Sequence, residues 1–537
     1  MAIRSACFLS LLLSVASILS SQEAGSFPPS VPYRVQLAAR GPIREIGLRE
    51  ALAMALAHNL EIEIDSYGRE LSREATISAK SYFDTVATLN TSVISSDIPA
   101  TNILQTGALD SLINKAVSVM PGIQQNIPGG GAVTVFTNIA RNTTNSQFSF
   151  INPVFGSTLG FSVTQPLWRG FRRTAVERQI VVSRLNEKLS ESQFRQKVAY
   201  VIEQVVGLYW RLAVTIDYYE SRRQARDVAV LEYEQLRKRV QQGQDTPLAL
   251  SSQLSDLASH EQTLTLAATQ IVQASNNLKR QLTASVIDPL WTVGLLTSDR
   301  PDAEEPSVGL DDAVRRALES RPELDQLRIQ LRQSDADLRF YKQETKPSVN
   351  LRLDVLSTGS AGTAYQLNPD STVSTTPDPS NPAYGGIGKS YGGALTFDHP
   401  SVDAGLEIRL PLRNRAATSQ LTTAAVNARK LQAQMNAAQE DILVEVRNAW
   451  ETIAAQRKNV EAALVSRRLS ADRLATETAK NVDDTASLDV LRDQRDLADA
   501  QVRELQALVD YQLAKVAYEK AMNSLVDDEQ IVLARRK

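Results

Sequence analysis

The sequence predicts a mixed α and β membrane protein in which pairs of amphipathic strands alternate with helices far longer than a globular domain contains. Three observations predict it. Two stretches run without proline, from Gly170 to Gln242 and from about Ala416 to Lys480; at about 1.5 Å per residue they make helices of roughly 105 and 98 Å. Four segments alternate apolar and polar side chains with the period of a strand, each about nine to eleven residues long, the length a tilted membrane strand needs. The order helix, strand, loop, strand, long helix, turn, helix occurs twice. Composition agrees, since 43% apolar but only 6% aromatic residues describe an Ala- and Leu-rich chain suited to long helices with thin seams.

From the N-terminus, Arg4, an apolar stretch from Ala6 to Leu19, and the small or polar Ser20, Ser21 and Ala24 read as a secretory signal peptide over residues 1–22. The only cysteine, Cys7, lies inside it, so no disulfide is expected in the exported chain. Residues 23–45 read as an N-terminal linker, 46–283 as a first repeat, 284–308 as an inter-repeat linker, 309–524 as a second repeat and 525–537 as a tail. The repeat rests on Gly47, Leu48, Ala51, Ala55, Leu56 and Glu61, which recur at constant spacing as Gly309, Leu310, Ala313, Ala317, Leu318 and Glu323. Gly160, Pro166 and Leu167 recur as Gly405, Pro411 and Leu412, and Asp256, Leu257 and Ala258 as Asp496, Leu497 and Ala498. Three matches in the same order imply tandem duplication.

Each half opens with a helix, expected over about Gly47–Lys80 and Gly309–Glu344. In the second long helix, Leu421, Ala424, Ala428, Leu431, Met435, Ala438 and Ile442 step by alternating three and four, the spacing of helix-on-helix packing. The phase then shifts through Val446, Ala449 and Ile453, a stutter that locally unwinds a supercoil. Taken alone, this helix suits a coiled-coil rod equally well.

The strands point further. Ala87, Leu89, Thr91 and Val93 oppose Thr88, Asn90 and Ser92; Leu159, Phe161 and Val163 oppose Thr158, Ser162 and Thr164. In the second half Val349, Leu351, Leu353 and Val355 oppose Arg352 and Asp354, while Val402, Ala404, Leu406 and Ile408 oppose Asp403, Glu407 and Arg409. A soluble sheet with one wet face gives the same alternation. Strand length, the aromatic residues Tyr82, Phe83 and Trp168 at strand ends, and the lack of an apolar helix favour a membrane barrel, the one strand-built structure that spans lipid. Four strands per chain cannot close such a barrel without edges in lipid, whereas a trimer supplies twelve. Arg352, Asp354, Glu407 and Arg409 then line the pore. The links over about 95–157 and 357–400 are expected as long outer loops, and "GGAVTVFTNIA" from Gly130 reads as a strand that either adds to or replaces one of these four, which leaves the register within 82–166 open.

The paired "GLREAL" and "GLDDAV" helix starts, the "QPLWRG" and "LPLRN" strand-to-helix corners and the "TASLDVLRDQRDLADAQ" stretch from Thr485 resemble the TolC-like outer-membrane efflux protein family from about Ile46 to Leu525. The resemblance implies a homotrimer with a twelve-stranded barrel in outer-membrane lipid, continuous with a periplasmic α-helical barrel. It further implies docking of a periplasmic adaptor (membrane fusion) protein and an inner-membrane transporter, for efflux or type I secretion. Pro166 and Pro411 suit the corners, because proline cannot donate to a ladder. By resemblance, the hairpin tip "QQGQDTPLAL" docks the adaptor through Gly243, Thr246 and Leu248. The second tip carries Asp483 where a glycine is expected. Asp489 falls where the family narrows its periplasmic entrance with acidic rings, and Arg492 stands at the next expected acidic position; Asp489 equally suits a solvated aspartate paired with Arg492 or Arg495.

Other classes fit less well. His58, His260 and His399 are scattered without metal-ligand spacing, and Gly129–Gly131 lack the lysine and hydroxyl residue of a phosphate loop. No enzyme, cofactor or metal is expected, and a net charge of -3 argues against a nucleic-acid partner. A periplasmic adaptor is the nearest alternative, but it needs one helical hairpin where two are present. A structural coiled-coil protein leaves the charged strands without a purpose.

Overall fold

A computed structural model describes residues 30–99, 109–172, 174–368, 373–480 and 488–525. The expected signal peptide, Asp483 and most of the C-terminal tail lie outside the described residues. The chain divides into two compact units, one drawn from residues 1–66, 194–322 and 439–537, the other from 67–193 and 323–438. Among the described residues no helix is long and apolar enough to cross a membrane.

The first unit is helical. It contains α1 (Tyr33–Arg40), β1 (Ile43–Ile46) and α2 (Leu48–His58). Next come most of α4 (Ala175–Gln241), all of α5 (Pro247–Leu282) and β6 (Gly294–Thr297). It ends with α6 (Leu310–Ser320), the later part of α9 (Arg415–Lys480) and α10 (Leu488–Ala521). On α4, Val198, Val201, Ile202, Val205, Tyr209, Leu212 and Tyr219 are buried, and on α5 so are Leu264, Ala267, Ile271, Ala274, Leu278 and Leu282. The α5 series steps by three and four, one stripe turned inward, whereas on α4 the adjacent Val201 and Ile202, with Val206 and Trp210, widen the buried face. A fully buried Leu or Ile contributes roughly 1.5–3 kcal/mol, so each such position on this seam stabilises the unit.

The two segments read as linkers meet here. β1 and β6 pair in parallel, Ile43 opposite Gly294 and Ile46 opposite Thr297. The Tyr209 hydroxyl lies 3.0 Å from the Ile46 carbonyl oxygen and 3.1 Å from the Asp299 carboxylate. Burial pushes this phenol above its ordinary pKa.

The second unit carries the sheet. It comprises α3 (Leu60–Lys80) from Tyr67 onward, β2 (Val86–Pro99), β3 (Ser111–Ile127), β4 (Gly131–Thr144) and β5 (Ile151–Pro166). The second half of the chain adds α7 (Pro322–Glu344), β7 (Ser348–Leu367), β8 (Val373–Pro377), α8 (Ile387–Leu395) and β9 (Pro400–Arg409). Antiparallel pairing runs β2-β3-β4-β5-β7-β9, with short β8 on the same side of β7 as β9.

The expected fold class stands, but two details differ. The four strands expected per chain are six across the sheet among the described residues, because much of the link expected as a loop over 95–157 forms the β3–β4 hairpin. Pro121-Gly122 inside β3 resembles a turn, yet Pro121 still pairs with Leu89, and the β3–β4 ladder skips Met120 and Pro121, where a missing N–H costs nothing. At the hairpin turn Gly129 and Gly130 have φ of 111° and 86°. A Cβ on Gly130 would fall 2.7 Å from the Gly170 carbonyl oxygen, so the turn packs directly on the strand-to-helix corner and only glycine fits.

The opening helices also break once each. Asn59, between α2 and α3, accepts from the Glu61 N–H at 2.8 Å and donates to the Gln281 side chain at 2.6 Å, an N-cap inside the expected helix. In the second half Arg321 is extended and Pro322 starts α7, a position where the ring suits a helix start. The α9 seam holds, with Ala424, Met435, Ile442, Val446, Ile453 and Val460 buried, including the four-residue step from Ile442 to Val446.

Candidate functional site

Register settles which side chains share a face of the sheet. One row of directly paired residues crosses all six strands: Ala87, Ile123, Val135, Phe161, Val355 and Val402. The face is apolar and open, with Leu89 68%, Val93 79% and Val402 66% exposed. An apolar surface running unbroken across a sheet marks a partner or a membrane rather than a solvated face.

The neighbouring row, on the opposite face, is Val86, Gln124, Thr134, Ser162, Asp354 and Asp403. Arg352, Asp354, Glu407 and Arg409 all lie on this face, as the alternation predicts. They are joined in pairs along their own strands. Arg352 Nε bonds the Asp354 carboxylate, and Arg409 Nη2 lies 2.6 Å from Glu407 Oε1. Ser162 Oγ donates to Asp354 Oδ1 at 2.5 Å, a partner that only the β5–β7 register reveals. Asp403 faces Asp354 directly, so two carboxylates share one cross-strand position on a surface otherwise charged in pairs.

Proline stands at both strand ends. Pro166 is the last residue of β5, paired with Asn350, and the Leu167 N–H donates to the Val349 carbonyl at 2.7 Å. The chain then turns through Gly170, and Thr174 and Glu177 cap α4 reciprocally, each accepting from the other's N–H at 3.1 and 3.0 Å, a capping box. Pro411 lies between β9 and α9, where Asn414 donates to the Glu344 carbonyl at 3.2 Å. Leu167, Trp168, Leu410 and Leu412 are exposed at this end.

The hairpin tip belongs to the helical unit. Gly243, with φ of 72°, closes α4, Thr246 accepts from the Ala249 N–H at 3.3 Å and Pro247 opens α5. Leu248 is 81% exposed, so Gly243, Thr246 and Leu248 form one accessible turn. Asp489, in the first turn of α10, is exposed, with a carboxylate oxygen 3.8 Å from Arg492 Nη1. Arg492 Nε in turn lies 3.6 Å from Glu232 on α4. Higher on the same two helices, Arg222 pairs with Asp499, which also accepts from Ser221 at 2.8 Å. Asp489 is thus paired within α10, and Arg492 ties α10 to α4. Among the described residues no cluster of His, Cys, Asp or Glu is arranged to hold a metal.

No family model matches the chain, and no curated protein matches it in sequence. Solved structures do match in fold. A membrane protein from Pseudomonas aeruginosa aligns at a TM-score of 0.59 and 16% identity, covering 93% of this chain and 99% of that one. The CmeC outer membrane channel of Campylobacter jejuni aligns at 0.59 and 13% identity, covering 90% of this chain and 89% of that one. The open state of the MtrE outer membrane channel of Neisseria gonorrhoeae aligns at 0.56 and 15% identity, covering 89% of each chain. The chain thus has the TolC-like fold that its sequence resembles.

Proposed function

We propose, from the premise of a TolC-like fold, that this chain is one subunit of a homotrimeric outer-membrane exit duct serving efflux or type I secretion. The observation that carries this reading is the open sheet. Its apolar row spans the six long strands, while among the described residues β2 and β9 each leave one edge without a partner. Unpaired edges cannot lie in lipid. Because six strands alternate in direction, β2 of one copy and β9 of the next meet antiparallel, so identical copies close without a mismatched seam. Three copies of six strands give eighteen, not the twelve expected from four per chain. Barrels of that size keep an aqueous lumen, which the face bearing Arg352, Asp354, Asp403, Glu407 and Arg409 would line.

In this assembly the Gly243, Thr246 and Leu248 turn is the docking surface for a periplasmic adaptor, which couples the duct to an inner-membrane transporter. Asp489, repeated three times, forms a carboxylate ring at the periplasmic entrance, moderated by Arg492. Cargo moves through without chemical conversion, so no catalytic residue is assigned. Light scattering of the detergent-extracted protein, corrected for detergent, tests the assembly: a trimer from the outer-membrane fraction is expected, and a soluble monomer would defeat the reading. In planar bilayers, Asp489→Ala is expected to weaken the dependence of conductance on cation type; unchanged single-channel behaviour would remove the entrance assignment.

A further inference from the structure

The segment between β7 and β9 contains α8, which nothing in the duct reading uses. Ser390 and Ala394 are fully buried against the sheet. Ser390 Oγ lies 2.9 Å from both the Gly359 carbonyl oxygen and Ser157 Oγ. A Cβ at Gly359 would stand 1.9 Å from the Ser390 carbonyl oxygen. The helix backbone therefore rests on the strand, over a floor of small residues formed by Ser157, Ser357, Gly359 and Ala361.

Strand parity identifies the face. Ser357, Gly359 and Ala361 continue the series Leu351, Leu353 and Val355, and Ser157 continues Phe161, with uninterrupted register between β5 and β7 over this stretch. The helix sits on the apolar face, while Thr358 and Ser360 remain exposed on the polar one. It covers the part of that face where side chains are too small and polar to meet hydrocarbon.

Gly388 and Gly392 turn away from the sheet into open space, and one flank of α8 restores what the floor lacks. Ile387, Tyr391 and Leu395 recur every four residues, one face of a helix, and Ile387 and Leu395 are 49% and 53% exposed. Tyr384 and Phe397, just outside the helix, are exposed too. Lys389 projects from the other side and donates to the Tyr384 carbonyl at 3.1 Å. Height agrees with the chemistry. From Ser348, at the corner, to Gly359 is roughly 36 Å of strand, or about 28 Å of rise at a tilt of about 40°, close to the upper limit of an apolar band about 25 Å tall. Phe148 and Phe150 are also exposed at this end of β5, where an interfacial aromatic girdle belongs.

We infer that α8 is an interfacial anchor, lying on the outside of the barrel wall with its Ile387, Tyr391 and Leu395 stripe in the boundary between headgroups and acyl chains of the outer leaflet. The inference rests on the membrane-barrel reading. Its occupant is lipid because α8 rests on the same face of the sheet that carries the apolar row at Phe161, Val355 and Val402. The anchor would hold the β7–β9 connection against lipid and away from the mouth of the barrel.

Nitroxide labels on single cysteines, introduced in a Cys7→Ser background of the full-length protein, test it in phosphatidylcholine vesicles. Collisions with oxygen report lipid, and collisions with a water-soluble nickel complex report water. Labels at Leu395→Cys and Tyr391→Cys are expected to favour oxygen, and Lys389→Cys to favour nickel, with Val355→Cys as the lipid reference. If Leu395→Cys fails to fold, Ile387→Cys reads the same stripe. Oxygen preference at 355 with nickel preference at 395 and 391 would overturn the anchor and leave the barrel standing. Nickel preference at 355 itself would overturn the barrel, and the anchor with it.

Discussion

The two halves of the chain keep their helices alike and let their strands diverge. The opening helices have 11 residues each, α2 and α6, followed by 21 in α3 and 23 in α7. The long helices have 67 and 66, α4 and α9, and the returning helices 36 and 34, α5 and α10. Even a local device recurs, since the carbonyl before each opening glycine faces a tyrosine hydroxyl: Ile46 with Tyr209 at 3.0 Å, and Val308 with Tyr518 at 3.1 Å. Yet the first half contributes four strands where the second contributes β7, β9 and the fragment β8. A packed seam of threes and fours fixes helix length, because adding a turn to one helix exposes apolar residues on its neighbour. An antiparallel sheet has no such rule. A hairpin inserts two strands at once and leaves the direction of every other strand unchanged.

Removing the difference gives the largest expected effect. Deleting the β3–β4 hairpin and joining β2 to β5 with a short turn should leave four strands per chain. Barrel diameter grows nearly linearly with strand number, so polymers entering from the outer side should meet a lumen about one third narrower. An unchanged polymer cutoff would show that the hairpin lies outside the wall.

Within the hairpin, a charge on the apolar face should matter far more than one on the polar face. Val135→Arg is expected to cost about 2–4 kcal/mol at mid-bilayer and to deplete the assembled oligomer on mild denaturing gels, whereas Thr134→Arg, one position away, should assemble normally. Equal behaviour of the two would mean that β4 does not separate lipid from lumen.

The smallest effects compare the two tyrosines. Tyr209→Phe and Tyr518→Phe each remove a buried hydrogen bond worth about 1 kcal/mol, and Tyr209→Phe should cost more because Asp299 also loses a partner. Urea unfolding followed by helical circular dichroism reads both. Burial pushes both phenols up, so their contribution is complete below pH of about 10, the unfolded value, and is lost as pH rises through the folded values. The parent protein should therefore lose stability above that pH more steeply than the double Phe variant.

How much could be read from the chain follows the same division. The long helices were legible because Ala, Leu, Ile and Met keep their spacing for many turns, and even the phase shift between Ile442 and Val446 survives in the burial pattern. Strands β2, β5, β7 and β9 alternate cleanly enough to assign their faces. The β3–β4 hairpin was hidden by Pro121-Gly122, which imitates a turn, and by Gly129–Gly131, which imitate a loop while closing a tight hairpin. Asn59 was missed although its cap is local, through the Glu61 N–H, because the helix resumes at once beyond it and only the bond to Gln281, distant in sequence, fixes the side chain. The polar-face charges were found one by one, but their partnership needed register, as Ser162 with Asp354 shows. Helix α8 is short and glycine-rich, and its periodicity emerges only once the sheet decides which side is covered.

The parallel pairing of β1 with β6 bears on the order in which this protein can fold. The Leu48 N–H donates to the Asp299 carboxylate at 2.6 Å across 251 residues of chain, and the same carboxylate receives Tyr209. Contacts this distant in sequence form slowly, since the loop must close before they return any stabilisation. The first half must therefore wait, with the Leu48 end of its opening helix unlatched, until the segment around Asp299 is in place. A chain truncated before β6 lacks both the β1 pairing partner and the Asp299 carboxylate, and cannot secure its own beginning.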